Sequence, residues 1–88
     1  MPVFQVYILW SEAAKKSDVG FTSNLEERIL AHNQFATKGW TIRFRPWQLV
    51  DSFTCSDKKQ AMLKEKYFKT GAGRDEILRI LRKKGLLP

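Results

Sequence analysis

A strand-to-helix transition is encoded by Gly20–Asn33, which reads GFTSNLEERILAHN. Its first three residues end a short stretch with strand character. Ser23 and Glu26 then form a capping box, in which a hydroxyl and a carboxylate three residues apart bond the free amides of a helix start. Leu25 and Ile29 recur at helical spacing and define an apolar face. We therefore predict a helix that begins here and runs to about residue 33.

Three predicted strands surround this helix in the sequence. Val3–Trp10 is rich in β-branched and aromatic residues and is apolar on both faces, which is typical of a strand in the middle of a sheet. Asp18–Thr22 predicts a second, shorter strand that contains Gly20. Trp47–Thr54 alternates as a third strand, and residues 34–46, without helical periodicity, are predicted to form a loop.

Two more helices are predicted after the third strand. Ser56 is placed to cap a helix over about residues 57–69, and Gly71–Gly73 is expected to break it. Asp75 and Glu76 are expected in the first turn of the last helix, where carboxylates are favoured. The order ββαβαα predicts an α+β fold, a small three-stranded antiparallel sheet flanked by helices.

The length and composition exclude several classes of protein. At 88 residues and 43% hydrophobic, the chain predicts one globular domain over residues 1–88 and excludes a disordered segment. No apolar run approaches the roughly 20 residues that cross a bilayer, so no membrane association is expected. One cysteine and one histidine cannot form an internal disulfide or a zinc site, which favours a cytoplasmic location.

The positive charge is concentrated in the last third of the chain. The formal net charge is +7, of which residues 56–88 contribute +6 from ten basic and four acidic side chains. A compact domain with one cationic region attracts polyanions, and nucleic acid is the first candidate. A solvated basic helix surface that only aids solubility explains the charge equally well.

Four side chains are candidates for chemistry. Arg28 and His32 are four residues apart beside the apolar helix face and suit a phosphate, although a half-buried histidine with a surface arginine is the simpler reading. Glu65 lies among lysines at the margin of a buried face and could hold a divalent cation, or simply pair with Lys69. Tyr7, in the middle of a strand, would ordinarily bond a backbone group.

Aromatic and basic side chains alternate in the predicted loop and on the second helix. Trp40 with Lys38, Arg43 and Arg45 could stack bases and bind phosphates, or the aromatic residues could hold the loop against the core. Further candidate nucleic-acid contacts are Lys58, Lys64, Lys69 and Arg74.

Taken together, these motifs resemble the GIY-YIG nuclease superfamily, and the small single-domain members most closely. Residues 20–33 match its G-x-T-x-x-L-x-x-R-x-x-x-H-N stretch. Gln5–Tyr7 stands at the first name-giving tripeptide and Asp18–Gly20 at the second. The steps of eleven residues from Tyr7 to Asp18 and ten from Asp18 to Arg28 match the family's spacing. The resemblance covers about residues 3–80.

The resemblance implies an endonuclease that hydrolyses DNA with one Mg²⁺ or Mn²⁺ ion, in DNA repair or recombination. It implies that Glu65 is the metal ligand and that Arg28 stabilises charge on the phosphoryl oxygens. Tyr7 would activate or position the attacking water, with His32 assisting proton transfer. The oligomeric state is left open and is compatible with a monomer.

Two positions depart from the family's pattern. Gln5 replaces the glycine of the first tripeptide, and Asp18 replaces the tyrosine of the second. A carboxylate differs from a phenol in shape, and its charge would repel a phosphate unless it binds metal or turns away. Asp18 is therefore either a second metal ligand or a sign of impaired activity. The alternative function is a catalytically impaired nucleic-acid-binding module with the same fold.

Overall fold

The computed structural model describes residues 3–31, 33 and 46–88. Three strands and three helices follow one another there in the predicted order, ββαβαα, which confirms the α+β prediction. The strands are β1 (Phe4–Ser11), β2 (Lys16–Thr22) and β3 (Gln48–Cys55). The helices are α1 (Leu25–Leu30), α2 (Lys58–Phe68) and α3 (Gly71–Lys83).

The strands form one antiparallel sheet in the order β2-β1-β3. β1 is central, as its two apolar faces predict, and its residues 6–11 are all buried. β2 and β3 are edge strands, with partly exposed residues along both. The pairing of β1 with β3 shifts register between Ile8 and Leu9.

Helices cover both faces of the sheet because β1 offers apolar side chains on both. The larger core cluster joins alternate residues of β1 to α2 and α3, and its buried members are Val6, Ile8, Trp10, Val50, Ala61, Phe68, Ile77 and Leu81. The smaller cluster lies on the opposite face and consists of Tyr7, Leu9 and Trp47, against which Leu25 and Ile29 pack. The predicted apolar face of α1 therefore lies against the sheet on the side of Tyr7.

The start of α1 differs from the prediction by one residue. Asn24, not Ser23, is the N-cap, since its Oδ1 accepts a hydrogen bond from the Glu27 amide at 3.1 Å. The Asn24 side-chain Nδ2 also donates to the Glu27 carboxylate at 3.2 Å, a side-chain bond that differs from the predicted capping box, in which the carboxylate accepts from the backbone N–H of the cap. Thr22 accepts from the Asn24 backbone N–H at 3.0 Å and holds the cap in place. The α-helical part ends at Leu30, and Ala31 and Asn33 beyond it are π-helical, close to the predicted end at about residue 33.

The predicted boundaries of β2 and α2 are corrected in the same way. β2 begins at Lys16, two residues before Asp18, because the β1–β2 pairing extends to Ser11 opposite Lys16. Asp57, not Ser56, caps α2 and accepts from the Gln60 amide at 2.8 Å. Aspartate is as good an N-cap as serine, so two neighbouring candidates cannot be ranked from sequence.

α2 and α3 are separate helices, as predicted, but the break lies at residues 69–70. Gly71–Gly73 instead form the first turn of α3, and Thr70 caps it by accepting from the Gly73 amide at 3.2 Å. A Cβ at position 73 would lie 2.7 Å from the carbonyl carbon of Tyr67, so glycine is needed where α3 passes the end of α2. Asp75 and Glu76 consequently lie beyond the first turn of α3, not within it as predicted.

α3 ends at a glycine in the left-handed conformation. Gly85 has a φ of 77°, and the Leu86 amide donates to the Leu81 carbonyl at 2.9 Å, as in a Schellman motif. Glycine terminates the helix because it adopts this left-handed conformation without a steric cost. Within the described ranges, no helix has the length and apolar character needed to cross a membrane.

Candidate active site

Tyr7 lies at the centre of the sheet and is directly opposite Gly20 of β2. Its side chain is almost fully buried, at 1% exposure. A Cβ at position 20 would lie 2.6 Å from Cζ of Tyr7 and closer still to the hydroxyl oxygen. Gly20 therefore leaves the space in which the phenol lies. A lone glycine inside a strand is the sequence signal for such a close approach, but sequence reasoning missed this role of Gly20.

Arg28 of α1 reaches the Tyr7 hydroxyl. Its Nε–H donates to the phenolic oxygen at 3.1 Å, across 21 residues of sequence. Leu25 and Ile29, which pack on the same cluster as Tyr7, hold α1 at this distance from the sheet. The hydroxyl thus bonds a charged side chain, and Arg28 is more than the ordinary surface arginine of the simpler reading.

Asn33 fixes the chain beyond α1 to the start of β3. Its Oδ1 accepts from the Trp47 amide at 2.6 Å, and its Nδ2 donates to the Trp47 carbonyl at 2.9 Å. Trp47 is buried beside Tyr7 and Leu9. The paired bonds position the segment that carries Arg28, a role that sequence reasoning missed although Asn33 ends the motif.

Asp18 faces the same side of the sheet as Tyr7. It is two residues from Gly20 on β2, so the two share a face, and it pairs with Leu9 across the strands. The negative charge of Asp18 contributes to raising the pKa of both Tyr7 and Arg28. The alternative in which Asp18 turns away from the site is therefore not supported.

Glu65 approaches the site from the other side of the sheet, beside the edge strand β2. Its side chain is 24% exposed, and Oε1 lies 3.4 Å from Nζ of Lys69. This is the ion pair weighed in the sequence. The Glu65 charge also contributes to raising the pKa of Tyr7, so the carboxylate lies within electrostatic range of the phenol.

The environment of Tyr7 keeps its hydroxyl protonated at neutral pH. Burial is the main cause and raises the pKa above the usual 10.0. The hydrogen bond and charge of Arg28 lower the pKa, and the charges of Asp18 and Glu65 raise it again. The hydrogen bond to Tyr7 in turn is the main cause of a raised pKa of Arg28. The pair can therefore present a neutral phenol and a permanent cation to a substrate.

A divalent cation at this site would depend on few protein ligands. Among residues 3–31, 33 and 46–88, no three or more His, Cys, Asp or Glu side chains are grouped to hold a metal. Mg²⁺ often binds through one or two carboxylates and retains water or substrate phosphate oxygens. A partly exposed carboxylate such as Glu65 fits that requirement, because it offers hard oxygen ligands on an open side.

The basic residues of α2 fall on two sides of the helix. Lys58 and Lys69 are seven and four residues from Glu65 and share its flank. Lys64 points the other way, towards β3, with its ammonium 4.6 Å from the ring centroid of Phe53. It is also 5.1 Å from that of Phe68. The structure therefore does not bring Lys64 to the Glu65 side, whereas Arg74 is exposed on α3.

Several predicted site residues lie outside the described residues. They are His32, Lys38, Trp40, Arg43 and Arg45.

Comparison with known proteins agrees with the geometry. The family model described as the GIY-YIG catalytic domain matches residues 3–75, which include the three strands, α1 and α2. No curated protein and no solved structure matches the chain significantly. The matched range also contains Tyr7, Asp18, Arg28 and Glu65.

Proposed function

This chain belongs to the GIY-YIG family of nuclease domains, and from that premise we propose that it is a metal-dependent DNA endonuclease acting in repair or recombination. The observation that carries the proposal is the Arg28–Tyr7 hydrogen bond, with the Glu65 carboxylate in electrostatic range. A core that serves only to stabilise the fold does not need a buried phenol bonded to a guanidinium. For phosphodiester hydrolysis, the same pair supplies a water-positioning group beside a phosphate-binding cation.

Arg28 would bind the scissile phosphate. Nε is used in the bond to Tyr7, and the guanidinium carries further N–H groups that match phosphate oxygens. Phosphoryl displacement needs mainly charge neutralisation and positioning, which a fixed guanidinium provides without reorganisation. Because the bond to Tyr7 fixes one edge of Arg28, the guanidinium is oriented before substrate arrives.

Tyr7 would hold the attacking water. Its raised pKa means that the hydroxyl is protonated at neutral pH and can orient the water by hydrogen bonding. To accept a proton from this water, Tyr7 must first lose its own. Because an ordinary phenol has a pKa of about 10, that loss needs added positive charge nearby. From the family's pattern we assign His32 to assist that proton transfer.

Glu65 would hold the metal ion. Its pairing with Lys69 is an exposed ion pair, which contributes little and is readily exchanged for a cation. What Mg²⁺ or Mn²⁺ supplies when bound there is neutralisation of the charge that builds up on the phosphate oxygens. Lys58 and Lys69, on the same flank, would bind neighbouring phosphates.

A nucleic-acid-binding module without catalysis is the second candidate. The observation that favours it is Asp18, whose charge faces the Tyr7–Arg28 pair and would repel a phosphate there. The basic C-terminal third, with a net charge of +6, would still bind the DNA backbone.

Nicking of supercoiled, nicked and branched DNA with Mg²⁺ or Mn²⁺ separates the two candidates. We expect metal-dependent cleavage by the parent and loss of cleavage in Glu65→Gln. Glu76→Gln on α3 is the matched control, since it makes the same chemical change away from the site and should cleave normally. DNA binding by the parent without cleavage would instead identify the binding module, and equal cleavage by Glu65→Gln would exclude Glu65 as the ligand.

A further inference from the structure

A shallow pocket lies between α2 and the edge strand β2, beside Glu65. It has a volume of about 230 Å³. Its lining residues are Phe21, Lys59, Met62, Leu63, Glu65 and Lys66. We propose that this pocket binds one unpaired nucleobase of a DNA strand, next to the Glu65 carboxylate that would hold the metal ion. The inference rests on DNA being the substrate, as proposed above.

The walls of the pocket suit the flat face of a base. Phe21 offers an aromatic ring that is partly buried and packed against Phe4, with ring centroids 6.3 Å apart. Met62 is 50% exposed and Leu63 is 55% exposed, so an apolar surface stays open to solvent on α2. Bases stack on aromatic rings largely independently of sequence, and a thioether adapts to irregular shapes. The fixed Phe21 ring and the flexible Met62 side chain together form the apolar wall of the pocket.

The charges around the pocket favour a nucleotide over an apolar peptide. Lys59 and Lys66 line the same pocket, and their two positive charges exceed the single negative charge of Glu65. A nucleotide carries its base and its phosphate on one sugar, which matches an apolar surface with cations beside it. A neutral apolar segment would cover Phe21 and Met62 and leave both lysines without anionic partners.

The pocket selects against fully paired DNA. In a duplex the faces of the bases are stacked and only their edges are accessible in the grooves. The pocket, which is lined by Phe21, Met62 and Leu63, can therefore accept only a base that has left the stack. Its volume is below the roughly 300–1,000 Å³ of drug-sized ligand sites, which is consistent with a single base.

The place of the pocket relates base binding to cleavage. Met62 and Glu65 are three residues apart on α2 and therefore neighbours on its surface. A base held against Met62 would put its own or the adjoining phosphate close to Glu65, where a metal ion held by that carboxylate would neutralise the phosphate charge. The preferred substrates would then carry unpaired bases next to the cut, as flaps, gaps and branch points do.

Binding of labelled oligothymidylate and of a fully paired duplex, followed by fluorescence anisotropy without divalent cations, tests the pocket independently of cleavage. Met62→Glu should weaken single-strand binding about fivefold or more and change duplex binding by less than about twofold. Leu78→Glu on α3 is the control, since it adds the same charge at another exposed apolar residue and should affect both DNAs equally.

A second variant keeps the test decisive if Met62→Glu folds poorly. Lys66→Gln should weaken binding and reduce the dependence on salt by about one phosphate contact. Unchanged single-strand affinity in Met62→Glu or Lys66→Gln would overturn the base-binding proposal, whereas the proposed nuclease function is tested separately by the cleavage assay. A parent that self-associates through this surface, with Met62→Glu restoring the monomer, would assign the pocket to a second copy and also overturn it.

Discussion

Gly20 and Tyr7 face each other across β2 and β1 so closely that no side chain other than hydrogen fits at position 20. The phenol lies against the backbone of the edge strand at Gly20, and its hydroxyl accepts the Arg28 Nε–H. The glycine of the second name-giving tripeptide thus has a steric reason here: it creates the space for the tyrosine of the first.

Gly20→Ala should disrupt the site through packing alone. The added methyl would lie 2.6 Å from Cζ of Tyr7, so the buried ring must shift and its hydrogen bond with Arg28 is disturbed. Overpacking of this kind costs about 1–3 kcal/mol of the free energy of unfolding, and DNA cleavage should fall with it. Denaturant unfolding and nicking rates measure the two effects.

Gly71→Ala is the control for that substitution. Nothing lies within 4 Å of a Cβ at position 71, which begins α3. The same chemical change there should be neutral or stabilise by up to about 1 kcal/mol, because alanine favours helix. Equal losses of stability in Gly20→Ala and Gly71→Ala would contradict the packing argument.

Asp18→Asn should shift the titration of Tyr7 to lower pH. The Asp18 charge raises the pKa of Tyr7, so its removal lowers that pKa, although burial still keeps it above the usual 10.0. Ultraviolet absorbance of the phenolate measures the shift in a Tyr67→Phe background, which leaves Tyr7 as the single tyrosine. Asp75→Asn, an equal change of charge on α3, should leave the titration unmoved.

The raised pKa of Tyr7 also predicts how stability depends on pH. Because the folded protein holds the phenol proton more tightly than the unfolded chain, this stabilisation is complete below the unfolded value of 10.0. It is lost as the pH rises through the higher folded value. The parent should therefore lose stability above about pH 10 more steeply than Tyr7→Phe. Parallel losses in the two proteins would show that Tyr7 is not responsible.

Arg28→Lys separates charge from geometry at the phosphate site. Lysine keeps the positive charge but cannot donate from Nε to Tyr7 while presenting a planar pair of N–H groups. Cleavage should fall about 100-fold, by analogy with loss of one preorganised donor, and the free energy of unfolding should fall by about 1–3 kcal/mol because the buried hydroxyl loses a charged hydrogen bond. Arg79→Lys on α3 is the control. Full activity in Arg28→Lys would show that a point charge is sufficient.

The sequence predicted the order of elements because the relevant signals are local. β1 is apolar on both faces, and α1 repeats Leu25 and Ile29 at helical spacing, so each predicts its own packing. The approach of Arg28 to Tyr7 depends on α1 lying over β1, which the family's pattern suggested but spacing alone could not establish. Helix starts were displaced by one residue where two good caps are adjacent.

Two site features were beyond sequence reasoning for a different reason. The side of α2 on which Lys64 lies depends on the angle at which the helix crosses the sheet, and a count of lysines does not contain that angle. Likewise, Asn33 can bond the backbone of Trp47 only because the fold brings that residue, fourteen positions later in the sequence, alongside it. Both features depend on tertiary packing. The sequence therefore shows the residues involved but not which of them lie together.

Asn33→Ala should destabilise the protein and displace Arg28. Loss of the amide leaves the N–H and C=O of buried Trp47 without these partners, at a cost of about 2 kcal/mol or more. Asn24→Ala, which removes the cap of α1, should cost only about 1 kcal/mol. Thermal unfolding compares the two. The larger loss of cleavage is also expected in Asn33→Ala, and the reverse ranking would contradict a positioning role for Asn33.

Lys64→Gln and Lys58→Gln should have opposite consequences, although both remove one positive charge from α2. The Lys64 ammonium lies over the rings of Phe53 and Phe68, so its loss should cost about 0.5–1 kcal/mol of stability and change DNA affinity by less than about twofold. Lys58 is exposed on the Glu65 flank, so its loss should weaken DNA binding and reduce the salt dependence by about one contact, with stability unchanged. Binding measured over a range of salt concentrations, together with thermal unfolding, gives both quantities. Equal losses of affinity would mean that DNA binds across both sides of α2 and that the aromatic contacts of Lys64 open on binding.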